Sequence, residues 1–451
     1  MKRSTYLRLM AMVCAVIMVV SLLAACKSGG DGGDGSESGA PIEVRDYAAL
    51  SFDPSSAATA KQKVTVHAYI DGDTTHFNVP TSVSESGVLK ARYLAVDTPE
   101  STGKIEEWGK AASRFTKEHL SSASSIIVES DTTGWDLDST GGRYLVWVWY
   151  RQSEDAPYRN LNIELLQEGL ALASSAANNR YGETCTAAIA QAKAQKLCLY
   201  SGAKDPDFYY GDAVELTLRE LRSNIAEYNG VKVAFEGIIT KNSNSGVYIE
   251  SYDEESGRYY GIYVYYGYGL TGDGLDVLAV GNLSRIVGSV QYYEAGGTYQ
   301  VSGLTYRQMR PDDPSNIKKI SEGHSAAYVE IDARDFADGM VKLALADGAE
   351  REYRSAELML ATSVKMDGLR VESVYTTTSD SSSQKGAMTL TCTAADGTKV
   401  SVRTAVLTGA DGQLITADAY KDKTINVRGI VDLYDGKYQI KVFTAEDITI
   451  A

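Results

Sequence analysis

Between Tyr144 and Tyr150 the chain reads Tyr-Leu-Val-Trp-Val-Trp-Tyr, a nearly continuous apolar run of aromatic and aliphatic residues. Such a run is a strand signal, and Trp147 and Trp149 within it read as core. Its surroundings narrow the fold. Val64 to Ile70 and Val88 to Val96 have strand-type content, and Ile126 to Glu129 is a further short strand. Glu106 to Ser121 sets Trp108, Ala111, Ala112, Phe115 and His119 at helical spacing, and Leu161 to Ala171 and Thr186 to Leu197 read as two more helices. Strands followed by helices over residues 61–204 predict an α+β domain with a small barrel.

The N-terminus speaks to the compartment. Lys2, Arg3 and Arg8 precede an apolar stretch from Leu9 to Leu23, too short for an ordinary spanning helix, and small residues lead into Cys26. Leu23-Ala24-Ala25-Cys26 resembles a lipobox, in which Cys26 becomes the lipidated first residue of the mature chain; a plain signal peptide or an uncleaved anchor is the alternative. Residues 1–26 are thus read as a lipoprotein signal. Residues 27–60 follow as a tether, opening on a Gly, Ser and Asp stretch that cannot bury apolar area. The expectation is an extracytoplasmic protein, held at the membrane only through its N-terminal lipid. Cys185 and Cys198 flank a helical pattern ~20 Å long, too far apart to bridge, and no Cys/His spacing suggests zinc.

Beyond residue 204 the pattern is mostly β, with a weak internal repeat. Ile286-Val-Gly-Ser-Val290 then Gly297-Thr-Tyr-Gln-Val301 is echoed by Val427-Arg-Gly-Ile-Val431 then Gly436-Lys-Tyr-Gln-Ile440. A strand with a central Gly, followed by a hairpin, suits the sharp bend of a small barrel. Two OB-like barrels are expected, at 212–312 and 355–451, joined by a β-rich connector at 313–354; a β-sandwich is the alternative. Of the formal charge of −15, −12 falls on residues 205–451. Gripping single-stranded nucleic acid takes a basic groove beside aromatics. The tyrosine-rich run from Tyr259 to Tyr268 lacks that groove, so binding of cell-surface protein or carbohydrate, or a spacer role, fits the charge better.

Four stretches carry chemistry: Ile70-Asp-Gly-Asp-Thr74, Arg92-Tyr-Leu-Ala-Val-Asp-Thr-Pro-Glu100, Gly142-Arg143-Tyr144, and Asn162 through Ala171 on a helix. Hydrolysing a phosphodiester adds negative charge to the phosphoryl oxygens, which calls for cations and for a group that deprotonates water. Asp73 and Asp97 offer hard carboxylate oxygens and Thr98 a carbonyl, a set suited to Ca²⁺ or Mg²⁺. Arg92 and Arg143 are permanently charged forks that can bond two phosphate oxygens at once. Glu100 is available to orient or deprotonate a water. Arg92 and Asp97 stand an odd number of residues apart, so an unbroken strand would face them oppositely, and a bend must bring them together.

In order and spacing these motifs are similar to those of the staphylococcal-nuclease-like (thermonuclease) family, over about residues 61–204. The resemblance implies a five-stranded OB-like barrel carrying three helices. It places Asp73, Asp97 and the Thr98 carbonyl at the calcium positions, and Arg92, Glu100 and Arg143 at the catalytic ones. It implies a Ca²⁺-dependent nuclease acting on DNA and RNA by cleaving phosphorus from the 5′ oxygen, leaving 3′-phosphates. Two departures stand out. Ser139-Thr-Gly-Gly142 precedes Arg143 where the family has a Lys-Tyr pair, and Ala173-Ser-Ser-Ala176 replaces a tyrosine-bearing loop. Altered preference and weaker ground-state binding are expected, with Trp135 a candidate substrate contact and the four histidines structural or at the surface. The other reading is an adhesion or binding lipoprotein whose barrel is idle.

Overall fold

Strands β1 (Lys61–Asp71), β2 (Thr74–Asn78) and β3 (Val88–Tyr93) form an antiparallel meander in the computed structural model, which describes residues 44–175, 178–243, 245–267, 270–345, 348–379 and 382–451. Cys26 and the apolar segment before it lie outside the described residues. Two short strands stand apart from the meander and pair with each other, β4 (Val96–Asp97) with β8 (Leu172–Ala173). On its other side β1 pairs with β5 (Ser125–Glu129), β5 with β6 (Tyr144–Arg151), and β6 returns parallel to β3. That last pairing closes a five-stranded barrel, as the sequence predicts. The edge strand β7 (Arg159–Asn160) hangs from β6.

The Tyr144–Tyr150 run becomes β6, with Val146 to Tyr150 all buried. Indole N–H groups taken out of water need partners. Trp147 Nε1 donates to Asp131 Oδ1 at 3.0 Å and Trp149 Nε1 to Glu129 Oε2 at 2.8 Å. Three helices pack on the barrel. α1 (Gly109–Ser121) buries Gly109, Ala112, Thr116 and Leu120, spaced three or four apart on one face. It starts three residues later than predicted because Trp108 sits at φ 67° and its N–H is taken by Asp205. α2 (Leu161–Gln167) is capped by Asn160, whose side chain accepts from Ile163 N at 3.1 Å. α3 (Gly182–Gln195) follows, with Cys185 buried in it and both Cys185 and Cys198 free.

The rest of the chain corrects the expectation of two OB-like barrels. In their place stand two seven-stranded sheets. The first takes β9 (Val214–Glu215), β10 (Lys232–Ser243), β11 (Gly246–Asp253), β12 (Arg258–Tyr265), β13 (Leu283–Tyr293), β14 (Thr298–Ser302) and β15 (Lys318–Ser321). The second begins with β16 (Val329–Glu330) and, after the separate hairpin of β17 (Met340–Ala344) and β18 (Glu350–Arg354), gathers β19 (Ser363–Thr376) to β24 (Ile448–Ile450). Pairings β10–β13 and β19–β22 (the latter strand Thr424–Tyr434) fold each sheet back on itself. A closed barrel, however, abolishes strand edges, and these sheets keep them: β9 and β15 in one, β16 and β24 in the other. The seam between β12 and β14 rests on a single residue pair, Val264 with Val301. Strands β15 and β16 come from the stretch read as a connector, so its short, exposed segments serve as edges. Glu250 on β11 joins the sheets, accepting Ser363 N at 2.7 Å, Ser363 Oγ at 2.8 Å and Ala327 N at 2.8 Å. Among the described residues no helix is long and apolar enough to cross a membrane.

Candidate active site

The turn between β1 and β2 starts the site. β1 carries register shifts at Val66/Ala68 and Tyr69/Asp71, bulges of the kind that re-aim side chains at a strand's end. Asp71-Gly72-Asp73 then packs so tightly that a Cβ on Gly72 would stand 2.8 Å from Thr98 Oγ1 and 2.9 Å from Ala112 Cβ. Thr116 on α1 holds the Gly72 carbonyl at 2.5 Å. Asp73 is thereby fixed and only 2% exposed. Its Oδ2 accepts Thr98 N at 2.9 Å and its Oδ1 accepts Thr74 Oγ1 at 2.9 Å.

Arg92, directly across from Thr74 on β3, forks between two carboxylates, ion-pairing with Asp73 Oδ1 through Nη1 and with Asp97 Oδ1 at 2.5 Å through Nη2. The bend that parity demands lies at Ala95, with φ 68°, a left-handed conformation uncommon outside glycine. Asn162 holds the approach to it. Its Nδ2 donates to Leu94 O at 2.9 Å and Val146 O at 3.0 Å, and its Oδ1 accepts Val148 N at 2.9 Å. Beyond the bend, the Ala95 carbonyl accepts Ser174 N at 3.0 Å. Burial works against the Arg92 charge, but Asp73 and Asp97 more than compensate and hold the guanidinium protonated.

Glu100 and Arg143 close on the same space. A cleft of about 430 Å³ is lined by Asp71, Asp73, Arg92, Glu100 and Arg143, with His76, Lys90 and Thr140 on its walls. Arg143 is held by Asp138, with Nε to Oδ2 at 2.7 Å. Loss of solvation opposes the Asp138 charge, but the Thr140 hydroxyl and the Arg143 guanidinium bring its carboxyl down to about 2. Burial, with Asp71 hydrogen-bonded beside it, pushes Glu100 up to about 8. Asp97 and Thr98 line an adjacent hollow of about 440 Å³ and reach the first cleft through Arg92 and Asp73. Trp135 is not among the residues lining either space; it stands edge-on to Tyr144, 6.5 Å between centroids, against the barrel core.

Asp71, inside the first motif, was given no role among the site residues. It is buried, and it binds Gly72 N at 2.8 Å and Ser101 Oγ at 2.7 Å as well as Glu100. His76, expected to be structural or at the surface, stands on the cleft wall beside its cross-strand neighbour Lys90, which was not singled out. Period-two alternation from Arg92 back to Lys90 would have pointed to the latter.

A family model described as "Staphylococcal nuclease homologue" matches residues 90–202. An SNase-like, thermonuclease-type domain is present here. A thermonuclease of Staphylococcus intermedius is 32% identical over 125 residues, covering 27% of this chain and 66% of that protein. The chain thus spans just under two thirds of that relative's length. The family match opens at Lys90, so β1, β2 and Asp73, which complete the barrel and its cleft, lie ahead of the matched span.

No group of three or more His, Cys, Asp and Glu side chains poised to hold a metal occurs among the described residues. The donor chemistry present is two carboxylates, Asp73 and Asp97, sharing one positive partner. Beside them Thr98 Oγ1 is buried with no hydrogen-bond partner. Hard oxygens are the donor type that Ca²⁺ takes, and here both carboxylates are engaged by Arg92.

Proposed function

We propose that this protein is a Ca²⁺-dependent nuclease that hydrolyses phosphodiesters of DNA or RNA and leaves 3′-phosphates. The observation that carries the reading is the convergence on one cleft of two guanidiniums, Arg92 and Arg143, with the carboxylates Asp73 and Glu100. In this account Arg143, oriented by Asp138, binds the phosphoryl oxygens, and Arg92 meets the charge that grows on them during attack. Glu100 acts in its ionised form, whose share grows as pH rises toward about 8: it takes the proton of the attacking water as the water oxygen joins phosphorus and the bond to the 5′ oxygen breaks, the leaving oxygen drawing a proton from solvent. Asp73, Asp97 and the Thr98 carbonyl would hold Ca²⁺, which supplies Lewis acidity at the phosphoryl group. Lys90 adds positive charge to the cleft wall for an anionic strand.

The rest of the reading concerns placement. Residues 1–26 as a signal with lipidation at Cys26, followed by a tether shorter than the expected 27–60 because Tyr47, Leu50 and Phe52 already pack on the barrel core, would hold the SNase-like domain outside the cell. Extracellular nucleic acid would then be its substrate. Nuclease assays with Ca²⁺ against chelator, on the wild type, Arg92→Ala and Glu100→Gln, test this account. Each substitution should lower turnover by at least ~10²-fold, the scale of a lost transition-state contact. Equal turnover in chelator, or an unaffected Arg92→Ala, would remove the mechanism.

A further inference from the structure

The segment that follows Glu100 is held from outside its own barrel. Gln291, on β13 and 7% exposed, donates from Nε2 to Ser101 O at 2.5 Å and accepts Gly103 N at 3.3 Å on Oε1. The same Oε1 accepts Ser302 Oγ from β14 at 2.8 Å, which locks the amide from behind. A backbone carbonyl on one side and a backbone N–H on the other require a side chain that both donates and accepts, and they fix which way the amide points. Ser101 passes the constraint inward, since its N–H and Oγ both bind Asp71, at 3.2 and 2.7 Å, and Asp71 is hydrogen-bonded to Glu100. The contact is close on the sheet side as well: a Cβ on Gly303 would stand 3.3 Å from the Gly103 carbonyl.

We infer that Gln291 is a positioning residue for Glu100, and that the sheet of residues 214–321 completes the nuclease cleft rather than serving as a spacer behind it. The inference rests on the nuclease reading for its catalytic consequence, but its structural half stands apart. Sequence gives no hint of it, because Gln291 and Ser101 are 190 positions apart.

The test uses the full chain with Gln291→Leu and Gln291→Glu, the second keeping an acceptor for Gly103 N but losing the donor to Ser101 O. Glu294→Ala, which removes the ion pair with Lys117 at the edge of the same contact, is the control. Turnover on a single-stranded oligonucleotide with Ca²⁺ and hydrogen exchange of the 99–105 peptide are both read. Both Gln291 variants should lose ~10-fold or more in kcat with KM within about twofold, the mark of a displaced reacting group. Exchange at 99–105 should accelerate with the barrel strands unchanged, and Glu294→Ala should match the wild type. Unchanged kcat and unchanged exchange in both variants would overturn the inference, as would kcat and KM moving together with barrel-wide exchange. A wild type without activity would sink the nuclease reading instead and leave the exchange comparison to decide the positioning.

Discussion

Replacing Gly109 by alanine should damage turnover while leaving the fold standing. A Cβ at this position would lie 2.3 Å from the Glu100 carbonyl oxygen, 2.7 Å from its carbonyl carbon and 3.0 Å from the Pro99 carbonyl oxygen. These are backbone atoms, so no side chain can swing aside. Reaching an ordinary carbon–oxygen contact of ~3.4 Å requires a shift of about 1 Å between the start of α1 and the Pro99–Glu100 backbone. A misplacement of ~1 Å in a reacting group can cost ~10²-fold in rate, about 2.7 kcal/mol of barrier. Stability moves less, because the ~1–3 kcal/mol of overpacking is partly offset by ~1 kcal/mol from replacing glycine in a helix. Steady-state turnover with Ca²⁺, beside a thermal melt, separates the two effects. Gly134→Ala is the control, since an added Cβ there meets nothing within 4 Å. If Gly109→Ala turned over within about twofold of the wild type, Glu100 would not be the group whose placement limits the reaction.

Other outcomes follow from the same geometry. Asn162→Ala leaves the buried Val148 N–H without its partner and removes one donor from the Leu94 and Val146 carbonyls, the second of which keeps Leu94 N, and should cost on the order of 1–3 kcal/mol in chemical denaturation. Arg92→Ala should lose turnover yet bind Ca²⁺ at least as tightly as the wild type by calorimetry, because the guanidinium competes for Asp73 and Asp97. Weaker binding would mean that Arg92 organises the cation site. Burial pushes the Cys185 and Cys392 thiols up to about 12. The reactive thiolate is thus suppressed until pH approaches that value, and alkylation at pH 8 with peptide mapping should label neither residue before unfolding.

How legible all this was depends on the range over which the physics acts. β6 announced itself because five consecutive buried residues leave an apolar run. α1 was visible through its periodic face, although its first turn was misplaced where Trp108 turns left-handed. The site residues Asp73, Arg92, Glu100 and Arg143 were found in motifs, but their convergence was not. It depends on Ala95, an unremarkable letter whose positive φ is imposed by Leu94, Asn162 and Ser174 around it. The burial of Asp71 was hidden because nothing local shows that Ser101 and Glu100 will cover it. The distal sheets were misjudged for a related reason. Their Gly-centred strands do bend, but whether edges remain is decided by β15 and β16, short segments with little pattern of their own. Part of the tyrosine-rich run also packs inward, with Tyr260 buried and Tyr263 set 5.0 Å from Tyr248 between the two sheets.

The most direct measurement is the chemistry of the ends. Full-length protein is incubated with a 5′-labelled oligonucleotide and Ca²⁺, beside Glu100→Gln, and the labelled fragments are sized before and after phosphatase treatment. The account predicts fragments bearing 3′-phosphates from the wild type and almost none from the variant. An intact oligonucleotide in both lanes, or fragments ending in 3′-hydroxyls, would contradict it.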